Sequence, residues 1–407
     1  MTVKQRQVFY IHGFDPRGAS HYHRLYRSQA AQQAPVNGLH INVSARRRNS
    51  SHHHQWQLST AHTQSQYHYL GWDDIVRQHW GKGWRQIISD FYCFFMLYIA
   101  NGNVIKFAKA SRQQLIAGLY PALYLLLGIS VSGLLAYRGA SIAYHSLPPS
   151  HALPSVAAYG LSLITAVLIL LISLHGVKKV GSKLAVFWLQ RIYAFSGKWA
   201  QGTIPELDTR SQQFAEHIIR AINNPENDEI VIIAHSVGTM MVIPTLAQVL
   251  SALPQTHLSN NKASNKPGNE NFANQRVVLI TLGQCIPLIS FQPKATQFRA
   301  QLQQLGQDPR LTWLDYTAPT DGACFPLLDP ITSCGLTKAP HAGPRLLSPR
   351  FFTLYHAARY KKLRRAWYTM HFLYLMATDK PGPYDFFAFT AGPKRVVDHI
   401  NAPFREL

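Results

Sequence analysis

Two apolar stretches constrain the fold of this chain more than any other feature. Residues 115–137 and 153–175 each run for 23 positions without a charged side chain and consist largely of Leu, Ile, Val, Ala and Gly. As a helix, each would extend roughly 34 Å, enough to cross a hydrocarbon core of about 30 Å. The segment between them, residues 138–152, carries Pro148-Pro149 and one charged residue, Arg138. This pattern reads as a transmembrane helical hairpin, because long helices buried in a soluble core normally keep a polar stripe. Lys106, Lys109 and Arg112 precede the first span, and Lys178, Lys179, Lys183, Arg191 and Lys198 follow the second. Positive residues are retained on the cytoplasmic side, so both chain ends are expected there, in a membrane of the bacterial inner type.

Composition supports this expectation. Only 14% of the 407 residues are charged, well below the usual quarter of a soluble protein, and the formal net charge is +21. Such an excess attracts polyanions. No zinc-finger spacing or aromatic-basic RNA pattern accompanies it, so an anionic membrane surface, not nucleic acid, is the expected partner. Four cysteines, Cys93, Cys285, Cys324 and Cys334, form no C-x-x-C pair and fit a reducing compartment. The opening run enters a strand-like pattern directly and does not read as a signal peptide.

The chain divides into residues 1–90, an insertion over residues 91–202, and residues 203–407. The first part opens with the strand pattern Val8-Phe9-Tyr10-Ile11, and residues 39–43 alternate like a second strand. Residues 46–66 are polar, include His52-His53-His54, and read as a solvated loop. Within the insertion, residues 91–99 are too short to span and suit a buried or interfacial helix. Residues 177–199 mix lysines with Val186, Phe187, Trp188, Ile192, Tyr193 and Phe195, a mixture that fits either the headgroup zone or packing against the protein body. In the last part, Asp208 is placed as the cap of a helix with Phe214, Ile218, Ile219 and Ile222 on its apolar face. Strands are expected over residues 229–234, 276–281 and 311–315, a helix over 239–250, and an exposed loop over 257–275. Alternation of this kind favours an α/β fold, a mostly parallel sheet covered by helices and interrupted here by the hairpin.

The most informative residues are Ile230-Val231-Ile232-Ile233-Ala234-His235-Ser236-Val237-Gly238-Thr239-Met240. An apolar strand, a serine flanked two positions away by small residues, and a helix resemble the nucleophile elbow of the α/β-hydrolase superfamily. Small flanking residues are needed because the serine occupies a strained turn. Ala234 stands where the superfamily pattern has glycine; Gly238 agrees with it. His12-Gly13-Phe14, just after the first strand, is similar to the superfamily's oxyanion loop. The resemblance implies Ser236 as nucleophile, with the backbone N–H groups of Phe14 and Val237 as oxyanion donors.

It also implies the chain order serine, acid, histidine. Asp321, in the loop beyond the strand that carries Trp313 and Tyr316, is the first choice of acid, followed by Asp315 and then Asp329. Of the histidines that follow, His341, His356 and His399 are less suited than His371, whose His-x-x-Tyr context before an apolar helix resembles the histidine loop of lipase-like hydrolases. The resemblance implies two-step acyl transfer on an ester or acyl-lipid, by a membrane-anchored serine hydrolase with no metal or organic cofactor. An acyltransferase with the same triad, or a non-catalytic membrane scaffold, are the alternatives. The oligomeric state is left open.

Overall fold

The computed structural model describes residues 2–146, 155–254, 277–340 and 342–401. Its β-branched and aromatic runs assemble into one nine-stranded sheet. The strands are β1 (Gln5–Ile11), β2 (Asn42–Val43), β3 (Arg47–Arg48), β4 (His53–Ser59), β5 (Gln64–Leu70), β6 (Glu229–His235), β7 (Val277–Leu282), β8 (Leu311–Tyr316) and β9 (Pro344–Leu347). Their order is β2-β4-β5-β1-β6-β7-β8-β9, with β3 paired to β4. From β5 to β9 every neighbour is parallel; β2, β3 and β4 form an antiparallel edge. All seven residues of β6 are buried, as expected of a strand covered on both faces.

Alternate residues of the central strands feed two cores. Phe9, Ile11, Ile230, Ile232, Ala234 and Leu279 face one side, against α8 (Glu206–Ile222) and α9 (Gly238–Ala252). Val8, Tyr10, Val231, Ile233, Val278 and Ile280 face the other, against Tyr22 and Tyr26 of α1 (Gly18–Asn37) and the C-terminal Phe386 and Phe387. A fully buried Arg6 closes the bottom of the sheet. Its Nε donates to Glu229 at 2.7 Å and its guanidinium to the Gly392 and Lys394 carbonyls. Satisfied on all sides in this way, a buried ion pair avoids the penalty of a stranded charge.

Several expectations need correction. The polar stretch 46–66 is not a solvated loop: it holds β3, β4 and the start of β5, and across β4 and β5 Trp56, Leu58, Tyr67 and Tyr69 are buried at alternate positions. The alternation was hidden because the intervening positions carry Gln, His and Ser. The strand read over 39–43 shrinks to two residues. Helix α8 begins two residues before Asp208, which lies in its first turn with Glu206. The loop read over 257–275 lies outside the described residues.

Residues 112–183 supply two helices long and apolar enough to cross a membrane, α5 (Arg112–His145) and α6 (Ser155–Lys183). Both overrun the expected limits: at 34 and 29 residues they extend about 51 and 44 Å. Helix α5 continues past Arg138, and α6 past Lys178 and Lys179, because nothing in those segments breaks a helix. The Pro148-Pro149 connector is outside the described residues. In the most apolar window of α6 no residue is buried within the protein. Leu163 and Ile172 are 66% and 71% exposed, which excludes a core helix and matches a lipid-facing one. Where the two helices meet, Gly128 packs against Val177, the Tyr124 hydroxyl donates to the Val177 carbonyl at 2.8 Å, and Ser162 donates to Ala140 at 2.9 Å. Small residues and interhelical hydrogen bonds are what hold helices together in lipid.

The hairpin is joined to the body on both sides. Ahead of it, α3 (Trp84–Phe94) runs through the π-helical turn Phe95–Ala100 and bends by 75° into α4 (Asn103–Ala110). Phe94, Tyr98 and Phe107 enter the sheet's core, whereas Tyr92, Phe95 and Met96 stay exposed. After it, α7 (Val186–Ala200) is buried along most of its length, which answers the open question about residues 177–199: this part packs against the body.

Candidate active site

Strand β6 ends in a turn that places Ser236 in the left-handed backbone region, at φ 58°. That conformation costs an L-residue roughly 1–2 kcal/mol, so the surroundings must enforce it. Two glycines make room. A Cβ on Gly238 would lie 2.5 Å from the Ile11 and His12 carbonyl oxygens, and one on Gly13 would lie 2.7 Å from the Ser236 Cβ. Ala234 is tolerated because its methyl enters the core beside Ile11, its neighbour in register.

His12 holds the loop after β1. Its ring lies between Tyr69 and Trp72, with centroids 5.2 and 5.3 Å away. Burial lowers its pKa, so the ring is neutral: Nδ1–H donates to the Gly13 carbonyl, and Nε2 accepts from the Trp72 N–H. Phe14 and Val237 are buried beside the serine turn, and neither backbone N–H meets an acceptor among the described residues.

His371, in the short helix Trp367–Phe372, reaches the same point. Its Nε2 is 2.7 Å from Ser236 Oγ, and its Nδ1 is 2.8 Å from Asp321 Oδ2. Asp321 lies in the loop after β8 and is fully buried. Burial by itself would raise its carboxyl pKa, but the charge and hydrogen bond of His371, with the Ala323 N–H, hold it below the ordinary value. The Tyr374 hydroxyl also donates to Oδ2, at 3.1 Å. Gly283, at φ 57°, packs beside both groups; a Cβ there would meet Asp321 Oδ2 and His371 Cε1 at 3.2 Å.

The other candidates lie elsewhere. Asp315 stays inside β8, accepts from Thr281 Oγ1 at 2.6 Å, and is pushed by burial up to about 8, hence protonated at neutral pH. Asp329 pairs with Lys338. His356 is exposed ahead of the helix Ala357–Leu363, His399 meets Phe389 edge to face, and His341 lies outside the described residues. Among the described residues no group of three or more His, Cys, Asp or Glu side chains is arranged to hold a metal ion.

Three contributions were not legible beforehand. His235 is fully buried and close to His371, with ring centroids 5.0 Å apart. Burial and the neighbouring His371 push its pKa down to about 3, so the neutral ring donates from Nε2 to the His371 carbonyl at 2.8 Å. Helix α7 roofs the site: the Trp188 ring lies 5.9 Å from His371 and Phe195 4.9 Å from Phe14, leaving Ser236 only 3% exposed. Finally, the first turn of α5 is fastened to the Asp321 loop. Gln113 donates to the Pro319 carbonyl, and Gln114 to those of Gly322 and Cys324, while the Tyr193 hydroxyl donates to Gln114 Oε1. A pair of glutamines before an apolar span was the only sequence trace of this contact.

Comparison with known proteins finds no matching family model, no matching curated protein and no matching solved structure.

Proposed function

We propose that this chain is a membrane-anchored serine hydrolase of the α/β-hydrolase type, acting on an ester or acyl-lipid. One observation carries the reading: a serine held at positive φ is in hydrogen-bond contact with an imidazole whose other nitrogen meets a buried carboxylate. Unrelated packing rarely aligns these three groups in this order, and a merely structural role gives no reason to strain the serine backbone.

In the proposed mechanism, His371 Nε2 takes the Ser236 hydroxyl proton as Oγ bonds to the substrate carbonyl carbon. Asp321 keeps the imidazole in the Nδ1–H tautomer and stabilises the imidazolium. The oxyanion is received by the Phe14 and Val237 N–H groups, each contributing about 3–4 kcal/mol in the transition state. Collapse breaks the bond to the leaving oxygen, which takes the proton from His371. Water, deprotonated by His371, then attacks the acyl-enzyme and releases the acid and free Ser236.

Substrate class follows from position. The apolar roof and its attachment to a membrane hairpin favour an amphiphilic acyl ester drawn from the bilayer, and the basic flanks favour a cytoplasmic body held at an anionic surface. A fluorophosphonate probe tests the enzyme reading. The membrane-embedded wild type is expected to label and Ser236→Ala not; an unlabelled wild type, or equal labelling of both, would overturn it.

A further inference from the structure

Beside the acid loop lies a cavity of about 420 Å³, lined by Gln113, Ile116, Thr320, Arg364, Arg365 and Trp367, among others, and by no carboxylate. Its position is informative. Gln113 and Ile116 belong to the first turns of α5, where that helix leaves the body and its uncharged run begins. The cavity therefore sits at headgroup depth if α5 crosses a bilayer. Trp367 and Tyr368 beside it are 44% and 41% exposed, and Trp367 packs on Tyr120 of α5 at 6.2 Å. Exposed tryptophan and tyrosine at this level are characteristic of a membrane–water interface.

The two arginines differ from those that the fold holds in ion pairs. Arg6, Arg17, Arg77, Arg191, Arg210, Arg310 and Arg359 each meet a carboxylate. Arg364 and Arg365 meet none among the described residues, although they are adjacent and line the same cavity. Two neighbouring arginines lining one cavity suit a phosphate, which guanidinium groups can bind with paired N–H donors. Lys361 and Lys362, in the last turn of the preceding helix, do not line the cavity.

Geometry also provides for a tail. Ile116, Leu123, Leu127 and Leu134 are 54%, 61%, 67% and 56% exposed. Their spacing of 7, 11 and 18 residues returns to the same helix face, giving an apolar stripe that runs from the cavity along the span. A soluble phosphate would have no use for that stripe; a phospholipid would lay an acyl chain on it.

We propose that this cavity binds the phosphodiester headgroup of one anionic phospholipid, with Arg364 and Arg365 as its ligands and the Ile116 stripe as its chain path. The inference rests on α5 spanning the bilayer and not on the hydrolase reading, so its test does not use activity.

The test is native mass spectrometry of the full chain in detergent, supplied with phosphatidylglycerol, phosphatidylcholine or soluble glycerol phosphate. Wild type is expected to retain one phosphatidylglycerol, at least fivefold more than phosphatidylcholine, and little glycerol phosphate. Retention should fall at least fivefold in Arg364→Gln/Arg365→Gln and also in Ile116→Asn, but less than twofold in Lys361→Gln/Lys362→Gln. Unchanged retention in the arginine variant, or an equal loss in the lysine variant, would overturn the site. Glycerol phosphate retained as well as the lipid, with no effect of Ile116→Asn, would also overturn it, in favour of a soluble phosphate. Fluorophosphonate labelling of Ser236, read separately, reports on the enzyme reading alone.

Discussion

At Ser236 the chain accepts backbone strain, and the neighbouring glycines show how narrowly the strain is accommodated. Gly238→Ala would drive a methyl into two carbonyl oxygens of the β1 loop. It is expected to cost about 1–3 kcal/mol of stability and to suppress fluorophosphonate labelling, read by denaturation and gel. The two aspartates near the sheet's C-terminal edge separate by environment. Asp321→Asn should lower turnover of a reactive ester by about 10⁴-fold, because an amide no longer selects the working imidazole tautomer. Asp315→Asn should leave turnover within about twofold, since Asp315 is already protonated at neutral pH and bonds to Thr281. His235 makes a pH prediction. Unfolded, it takes a proton near the ordinary imidazole value of 6.5; folded, it resists protonation down to about 3. The unfolded state therefore binds more protons in that window, and stability falls as pH drops from 6.5 toward 3, at up to about 1.4 kcal/mol per unit from this residue. Denaturant melts at several pH values should show a shallower slope for His235→Leu; an unchanged slope would disprove the assignment.

Among the elements, the foot of α5 matters most because it joins the hairpin to the loop that carries Asp321. Gln114→Ala leaves two loop carbonyls short of partners in a buried setting, while the Tyr193 hydroxyl keeps only the backbone carbonyl of residue 114, at 3.2 Å. The expected cost is about 1–3 kcal/mol of stability. A looser acid should also reduce kcat about tenfold with little change in KM, as measured on a short soluble ester. Legibility varied from element to element. Strand β6 and helices α5, α6 and α9 were readable because each is an almost continuous apolar run whose length separates strand from helix. Strands β4 and β5 were not, since their exposed positions are Gln, Ser and His and their buried ones mostly aromatic. Helix α7 could not be assigned to lipid or protein, because aromatic and basic residues serve both surroundings.

For the whole molecule, the hairpin stands off one end of an α/β body, and the proposed orientation, drawn from the positive flanks, puts that body on the cytoplasmic side. Single cysteines test this topology in a background with Cys93 and Cys334 replaced by serine. Ser146→Cys, at the far end of α5, should react with an impermeant maleimide in intact cells, and Asn224→Cys only after lysis. The reverse pattern would contradict the orientation.

The sequence by itself determined what depends on neighbours a few positions away: the apolar length of two spans, the strand and helix on either side of Ser236, and the small residues its turn requires. The order implied by the resemblance narrowed the proposed acid and base to a few candidates. Tertiary structure alone decided their meeting, since His371 lies 135 residues from Ser236 and 50 from Asp321. It likewise decided the roof made by Trp188, the bond from His235, and the fastening of Gln114 to a loop 208 residues away. Contacts at such separations arise from the order of strands in the sheet and the packing of helices upon it, which no local pattern records.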